Sequence, residues 1–285
     1  IAIAYHRSKG KAERFRFVGR ERGYHGMNIG CISVGGMINN VKTFASVLMP
    51  GVQHMRHTHL DEHKFVSGQP ETGADRADDL ERIAMNFGPE NIAACIVEPI
   101  AGSTGTLVPP KGYLQKLRET CDKHGILLIF DEVITGWGRT GSSFASIEYG
   151  VTPDIMTMAK ATTNGVVPMG VVACKDEIYD SVMDASPMGS VELFHGYTYS
   201  GIPVAVAAAL AVQDIFEKED IFNRAKDLAP YFQKGLFSLQ DLESVDNIRG
   251  YGIMGGIDMK LNTKPGKAGY ETFKSCYEAG VNFKA

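Results

Sequence analysis

Three apolar runs in the middle of the chain constrain its fold more than any other feature. IAACIV (92–97), ILLIF (126–130) and DIMTMA (154–159) lack the regular polar–apolar alternation of a strand with one wet face. Such runs suit strands covered on both faces, as in parallel sheets. One helix signal stands before the first run and another between the first two. DRADDLERIAMNF (75–87) places Leu80, Ile83, Ala84 and Phe87 on one helical face, with acids in the first turn, as the dipole prefers. In YLQKLRETCDKHG, Leu114, Leu117 and Cys121 fall in register and Gly125 is the stop. The β-loop-α-β spacing predicts an α/β fold with a mostly parallel sheet and right-handed crossovers.

The flanks extend this pattern. FRFVGRERGYHG predicts a strand followed by a Gly-rich loop, and MGVVACK (169–175) another strand. PVAVAAALAVQDIFEKE predicts a long helix with Pro203 in its first turn. Its apolar part, Pro203–Val212, is too short and alanine-rich to span a bilayer and reads as a buried helix. A further helix covers roughly 219–239, and NIRGYGIMGGIDMK predicts a hairpin opening a second domain. Ile1 is not an initiator methionine and AGVNFKA resembles an incoming strand, so a fragment is expected.

Each of the three runs finishes in a charge: Glu98, Asp131 and Lys160. In open parallel α/β sheets, ligands collect beyond the carboxyl ends of the strands. One such residue is more often a solvated strand end; three of both signs among apolar strands need partners or neutralise. A lysine in apolar surroundings becomes a nucleophilic amine able to form a Schiff base. An aspartate there suits a permanent cation, such as a protonated pyridine nitrogen. Lysine on an aldehyde and aspartate on a ring nitrogen are what proteins contribute to pyridoxal phosphate chemistry.

GWGRTG (136–141) offers a rival, since it spells the dinucleotide fingerprint G-x-G-x-x-G. The strand before it does not run directly into the glycines, because DEVIT intervenes. The acid expected about twenty residues on is also missing: Asp154, 18 residues after Gly136, begins its strand.

IFDEVITGWGRTG followed by GVTPDIMTMAKATTNGVVPMG resembles the class III (ω-) aminotransferases, with 29 positions from Asp131 to Lys160. GYHG (23–26), VEPIAGSTG (97–105) and HGYTYSGIP (195–203) carry the resemblance over nearly the whole chain. HGYTYS and GQPETG look most like the ω-amino acid:pyruvate (β-alanine:pyruvate) branch. The resemblance implies fold type I of the pyridoxal phosphate-dependent transferases. Residues 1–218 would form a large domain lacking its N-terminal part, and 219–285 part of a smaller C-terminal α+β domain. It also implies ping-pong transfer of an amino group from an ω-amino acid or amine to pyruvate or another keto acid. Ornithine- or GABA-type transamination, an aminomutase or decarboxylase, and a non-catalytic fragment stay open.

By that resemblance Lys160 forms the Schiff base and moves the proton, and Asp131 keeps the pyridine nitrogen protonated. Val133 packs on one ring face, Tyr24 stacks on the other, His25 helps orient the ring, and Glu98 lies near the phenolic oxygen. Thr198 reaches the phosphate in the neighbouring subunit, which implies a homodimer or a dimer of dimers. A Gly-Ser phosphate turn is expected upstream of Ile1, and the arginine for the substrate carboxylate beyond Ala285. Ile202 replaces the family's usual histidine and Trp137 its commoner phenylalanine; both are expected near the interface loop, bearing on substrate fit. The glycines of GWGRTG are expected to pass beneath the cofactor and the partner subunit, with Arg139 and Thr140 fixing the loop.

Other signals weigh less. HMRHTHLDEH (54–63) concentrates His54, His57, His59 and His63, but no register sets three on one face, and no metal is expected. GMNIGCISVGG lacks the Lys-Ser/Thr ending of a P-loop. Arg249 reads as structural. A net charge of −4 gives no general attraction to nucleic acid or anionic membrane. The five scattered cysteines favour a reducing compartment, hence the cytoplasm, with Cys95 and Cys174 as buried small hydrophobes.

Overall fold

The computed structural model describes residues 1–188, 190–191, 193–260, 264 and 266–284. The strands are β1 (Arg16–Arg20), β2 (Val52–Met55), β3 (Ile92–Val97), β4 (Leu127–Asp131), β5 (Ile155–Met158), β6 (Val171–Cys174), β7 (Val245–Tyr251) and β8 (Met254–Met259). The helices are α1 (Ala2–Ser8), α2 (Ile29–Val34), α3 (Ile38–Thr43), α4 (Asp78–Phe87), α5 (Tyr113–His124), α6 (Ala145–Glu148), α7 (Asp176–Asp184), α8 (Pro203–Lys218), α9 (Ile221–Phe237) and α10 (Lys267–Glu278). Six strands form one sheet in the order β2-β1-β3-β4-β5-β6. Every pairing is parallel except that of β5 with β6. Only a short 3-10 turn stands between those two strands, and without a crossover helix the chain returns antiparallel.

The unalternated runs follow from cover on both faces. Leu128 and Phe130 of β4 pack with Leu80 and Ile83 of α4 and with Leu114, Leu117 and Cys121 of α5. Leu127 and Ile129 turn the other way, to Ala2 of α1 and Ile178 of α7. Removing Leu128 and Phe130 from water contributes about 2 kcal/mol each. Gly125 ends α5 in the left-handed region, at φ 63°, and turns the chain directly into β4.

Two expectations need correction. The Pro203–Val212 segment does form a helix, but Ala205 is the only residue of α8 that is buried. Val204 is 57% and Leu210 62% exposed. Within the described residues α8 packs along one side, against the turn after β5 and against α9, so its apolar outer face is uncovered. Cys95 is buried as expected, whereas Cys174 is half-buried because β6 forms the sheet edge.

Strands β7 and β8 make the expected antiparallel hairpin, packed on α9. Arg249 is structural there: its guanidinium grips Asp258 at 2.6 and 2.9 Å, and its Nε donates to the Gly105 carbonyl. Among the described residues no helix is long and apolar enough to cross a membrane, and no cluster of histidines, cysteines and acids could hold a metal.

Candidate active site

Strands β3, β4 and β5 are parallel neighbours, so their carboxyl ends lie side by side. Val97 pairs with Phe130, and Asp131 with Thr157. That register brings Glu98, Asp131 and the turn bearing Lys160 to one edge of the sheet. Strand β1 lies on the other side of β3, and the loop leaving it delivers Tyr24 and His25 to the same edge.

Asp131 is 6% exposed. Its Oδ1 accepts the Val133 backbone N–H at 3.1 Å, and its Oδ2 lies 2.8 Å from His25 Nδ1. A carboxylate only accepts, so His25 donates through Nδ1, which leaves Nε2 buried without a partner. The role expected of His25, orienting a ring, thus comes with a contact that orients the carboxylate. Glu98, 4% exposed, accepts backbone N–H groups from Tyr24 and Gly102, each at 2.9 Å. Burial pushes its pKa above the ordinary carboxylate range, against the pull of His25 and of those two N–H groups.

Lys160 begins the 3-10 turn Lys160–Thr162 in the left-handed region, at φ 47°. A non-glycine residue held there is strained, and such strain concentrates at functional sites. The residue as a whole is exposed, but the partial burial of its amine acts most strongly and lowers its pKa. Asp131 opposes that fall and Arg139 adds to it. A cavity of about 620 Å³ opens beside Lys160, lined by Thr163, Val167 and Met169 among others.

Of the seven expected site residues, Tyr24, His25, Glu98, Asp131 and Val133 are joined by direct hydrogen bonds, and Lys160 is in electrostatic reach of Asp131 and Glu98. Thr198 is apart from them, in an exposed turn. Gly138 and Gly141 of GWGRTG approach the chain's own α9. A Cβ on Gly138 would come 3.1 Å from Phe222, and one on Gly141 3.4 Å from Lys226. Arg139 donates to the Ile134 carbonyl at 3.2 Å, whereas the Thr140 hydroxyl is buried without a partner among the described residues.

Glu132, beside Asp131, carries no signal of its own in the sequence. It is fully buried and accepts from Thr135 Oγ1 at 2.6 Å, Ala145 N at 2.9 Å and Ser146 N at 2.7 Å. It thereby caps α6 and closes the loop that follows β4. The indole N–H of Trp137 donates to Thr162, in the Lys160 turn, at 3.1 Å.

The donor set fits pyridoxal phosphate. Asp131 keeps a spare lone pair on each oxygen, His25 Nε2 has no partner among the described residues, and an amine with a lowered pKa lies within their field. These groups suit a ligand that brings an aldehyde and a cationic ring N–H.

The model of the family "Aminotransferase class-III" matches residues 1–285. An omega-aminotransferase of Caulobacter vibrioides is 51% identical over 99% of this chain and 64% of its own length. A beta-alanine--pyruvate aminotransferase of Pseudomonas aeruginosa is 47% identical over 91% of this chain and 58% of its own. The chain therefore spans about 60% of the length of these curated relatives. A crystal structure of the omega transaminase from Pseudomonas jessenii in complex with PMP superimposes with a TM-score of 0.92, at 32% identity, over all of this chain and 64% of that one. The edge-of-sheet site and the match along its whole length agree: this chain belongs to the class-III aminotransferases.

Proposed function

We propose that the protein transfers amino groups between an ω-amino acid or amine, such as β-alanine, and pyruvate or another keto acid, with pyridoxal phosphate as cofactor. The observation that carries this reading is the buried Asp131 carboxylate, held by His25 and Val133, beside a lysine whose amine is partly desolvated. Bound there, the cofactor supplies a protonated ring that draws off charge when a proton leaves the amino donor. Asp131 holds the ring nitrogen protonated, and His25 fixes the carboxylate for that task. Lys160 would hold the cofactor's aldehyde, and its amine, when free and neutral, would take up and return the proton. Tyr24 and Val133 would flank the ring, and Glu98, its pKa raised by burial, would orient the cofactor.

Thr198 contributes from a second copy of the chain, in a homodimer or a dimer of dimers. Its turn supports this, since Tyr197 and Tyr199 beside it are 71% and 78% exposed. The large domain runs through α8, and the small one starts with α9 and the hairpin. The branch assignment rests on the 47–51% identity to the two relatives above.

Reduction with borohydride after adding pyridoxal phosphate tests the site. A pyridoxyl mass is expected on the Lys160 peptide and is lost in Lys160→Ala. A folded protein without label, or label kept in that variant, contradicts the reading. Amino-donor profiles with pyruvate against 2-oxoglutarate test the branch, and pyruvate is expected to be the better acceptor.

A further inference from the structure

The GWGRTG loop carries one side chain that the proposed chemistry leaves unused. Trp137 is the chain's single tryptophan, and it adopts φ 63°. A bulky residue in the left-handed region needs something to hold it there. Its backbone N–H donates to Ser143 O at 2.6 Å. Its ring lies 5.0 Å from that of Phe144 and stacks at 5.7 Å on Phe216 of α8.

The indole edge makes the informative contact. Nε1–H donates to Thr162 Oγ1 at 3.1 Å, and Thr162 Oγ1 lies 3.0 Å from the Ala159 carbonyl. An indole nitrogen only donates and a carbonyl only accepts, so the single hydroxyl proton points to Ala159. The chain of bonds therefore has one direction: Trp137 to Thr162 to Ala159, the residue before Lys160. Thr162 is 3% exposed, which keeps water from replacing the indole. The same turn is closed by Thr162 N on Ala159 O at 3.0 Å, and by Gly165 N on Lys160 O at 3.2 Å. A phenylalanine at 137 would keep the ring stack and lose the N–H.

We infer that Trp137 is a positioning residue: through Thr162 it holds the strained turn that presents the Lys160 amine. The inference rests on Lys160 being the Schiff-base lysine. Losing one buried hydrogen bond opens such a turn about fivefold more often. The amine then loses the partial burial it has in the closed turn, so Schiff-base formation moves to higher pH.

The test titrates the Schiff-base absorbance of added pyridoxal phosphate against pH in Trp137→Phe, Thr162→Val, Thr162→Ser and the Phe/Val double variant. Trp137 emission is recorded without cofactor. Trp137→Phe and Thr162→Val should each raise the pH midpoint and weaken formation about fivefold at neutral pH. The double variant should be no worse than the poorer single one. Thr162→Ser should behave as the parent, and Thr162→Val but not Thr162→Ser should change the Trp137 emission. An unmoved midpoint in Trp137→Phe, or losses that multiply in the double variant, overturns the inference. Should Trp137→Phe not fold, the Thr162→Val and Thr162→Ser pair decides: equal midpoints overturn it. A parent protein that forms no Schiff base at Lys160 overturns the proposed function as well, whereas a normal parent with an unmoved Trp137→Phe overturns this inference alone.

Discussion

Asp154 and Asp131 are equally buried, at 7% and 6% exposure, yet the chain treats them in opposite ways. Asp154 precedes β5, at the amino end of the sheet. It receives Lys175 Nζ at 2.6 Å, Arg118 Nη1 at 2.9 Å and Leu128 N at 2.7 Å. Asp131 ends β4, at the carboxyl edge. Among the described residues no lysine or arginine pairs with it; a histidine and one backbone N–H hold it. Glu98 beside it takes, among the described residues, only backbone N–H groups. A buried carboxylate matched by its own chain's permanent cations is structural. One left without such a cation can receive it from a ligand.

The sharpest way to break this contrast is to neutralise each aspartate in turn. Asp131→Asn should lower the transamination rate about 10³-fold with little change in thermal stability. Asp154→Asn should do the reverse. It weakens the hold on Lys175 and on Arg118, which keeps Asp122 at 2.7 Å, and costs about 2 kcal/mol in urea unfolding, with Schiff-base formation kept below the new melting point. A rate loss in Asp154→Asn alone would end the comparison. Glu132→Gln should cost about 2 kcal/mol of stability, because one amide oxygen cannot replace two carboxylate oxygens serving Thr135, Ala145 and Ser146. His25→Ala should weaken cofactor binding about tenfold, and His25→Asn, which restores a donor, should recover most of it.

The smallest effects lie in pH. Burial would raise the pKa of Asp154, but Lys175, the Leu128 N–H and Arg118 outweigh it and hold the group below the ordinary range. Its stabilisation is complete above the unfolded value, about 4, and is lost as pH falls through the lower folded value. Glu98 is raised by burial, so its contribution is complete below about 4.3 and is lost as pH climbs through the higher folded value. In unfolding curves across pH, Asp154→Asn should flatten the acid limb and Glu98→Gln the limb above it.

Sequence and structure agree where burial writes a period. Leu80, Ile83 and Leu114, Leu117 recur at helical spacing because each helix buries one face, and the β4 run is unbroken because both faces are covered. The charges at three strand ends could be read because parallel strands align their carboxyl ends. Other features leave no period. Apolar composition in α8 says that cover is needed, and not where it comes from. The direction of β6 depends on what joins it to β5. Glu132 reaches 13 residues ahead to Ala145, and Trp137 reaches 25 ahead to Thr162. Such partners meet only once the chain is folded.

The central claim is that Asp131 is kept free of permanent cations so that it can hold a protonated ring nitrogen. Nitrogen-15 NMR of ring-labelled pyridoxal phosphate bound to the protein measures this directly. A protonated pyridine shift in the parent that becomes neutral in Asp131→Asn, and stays protonated in Asp154→Asn, is the predicted result. A neutral ring nitrogen in the parent, or a protonated one in Asp131→Asn, would contradict it.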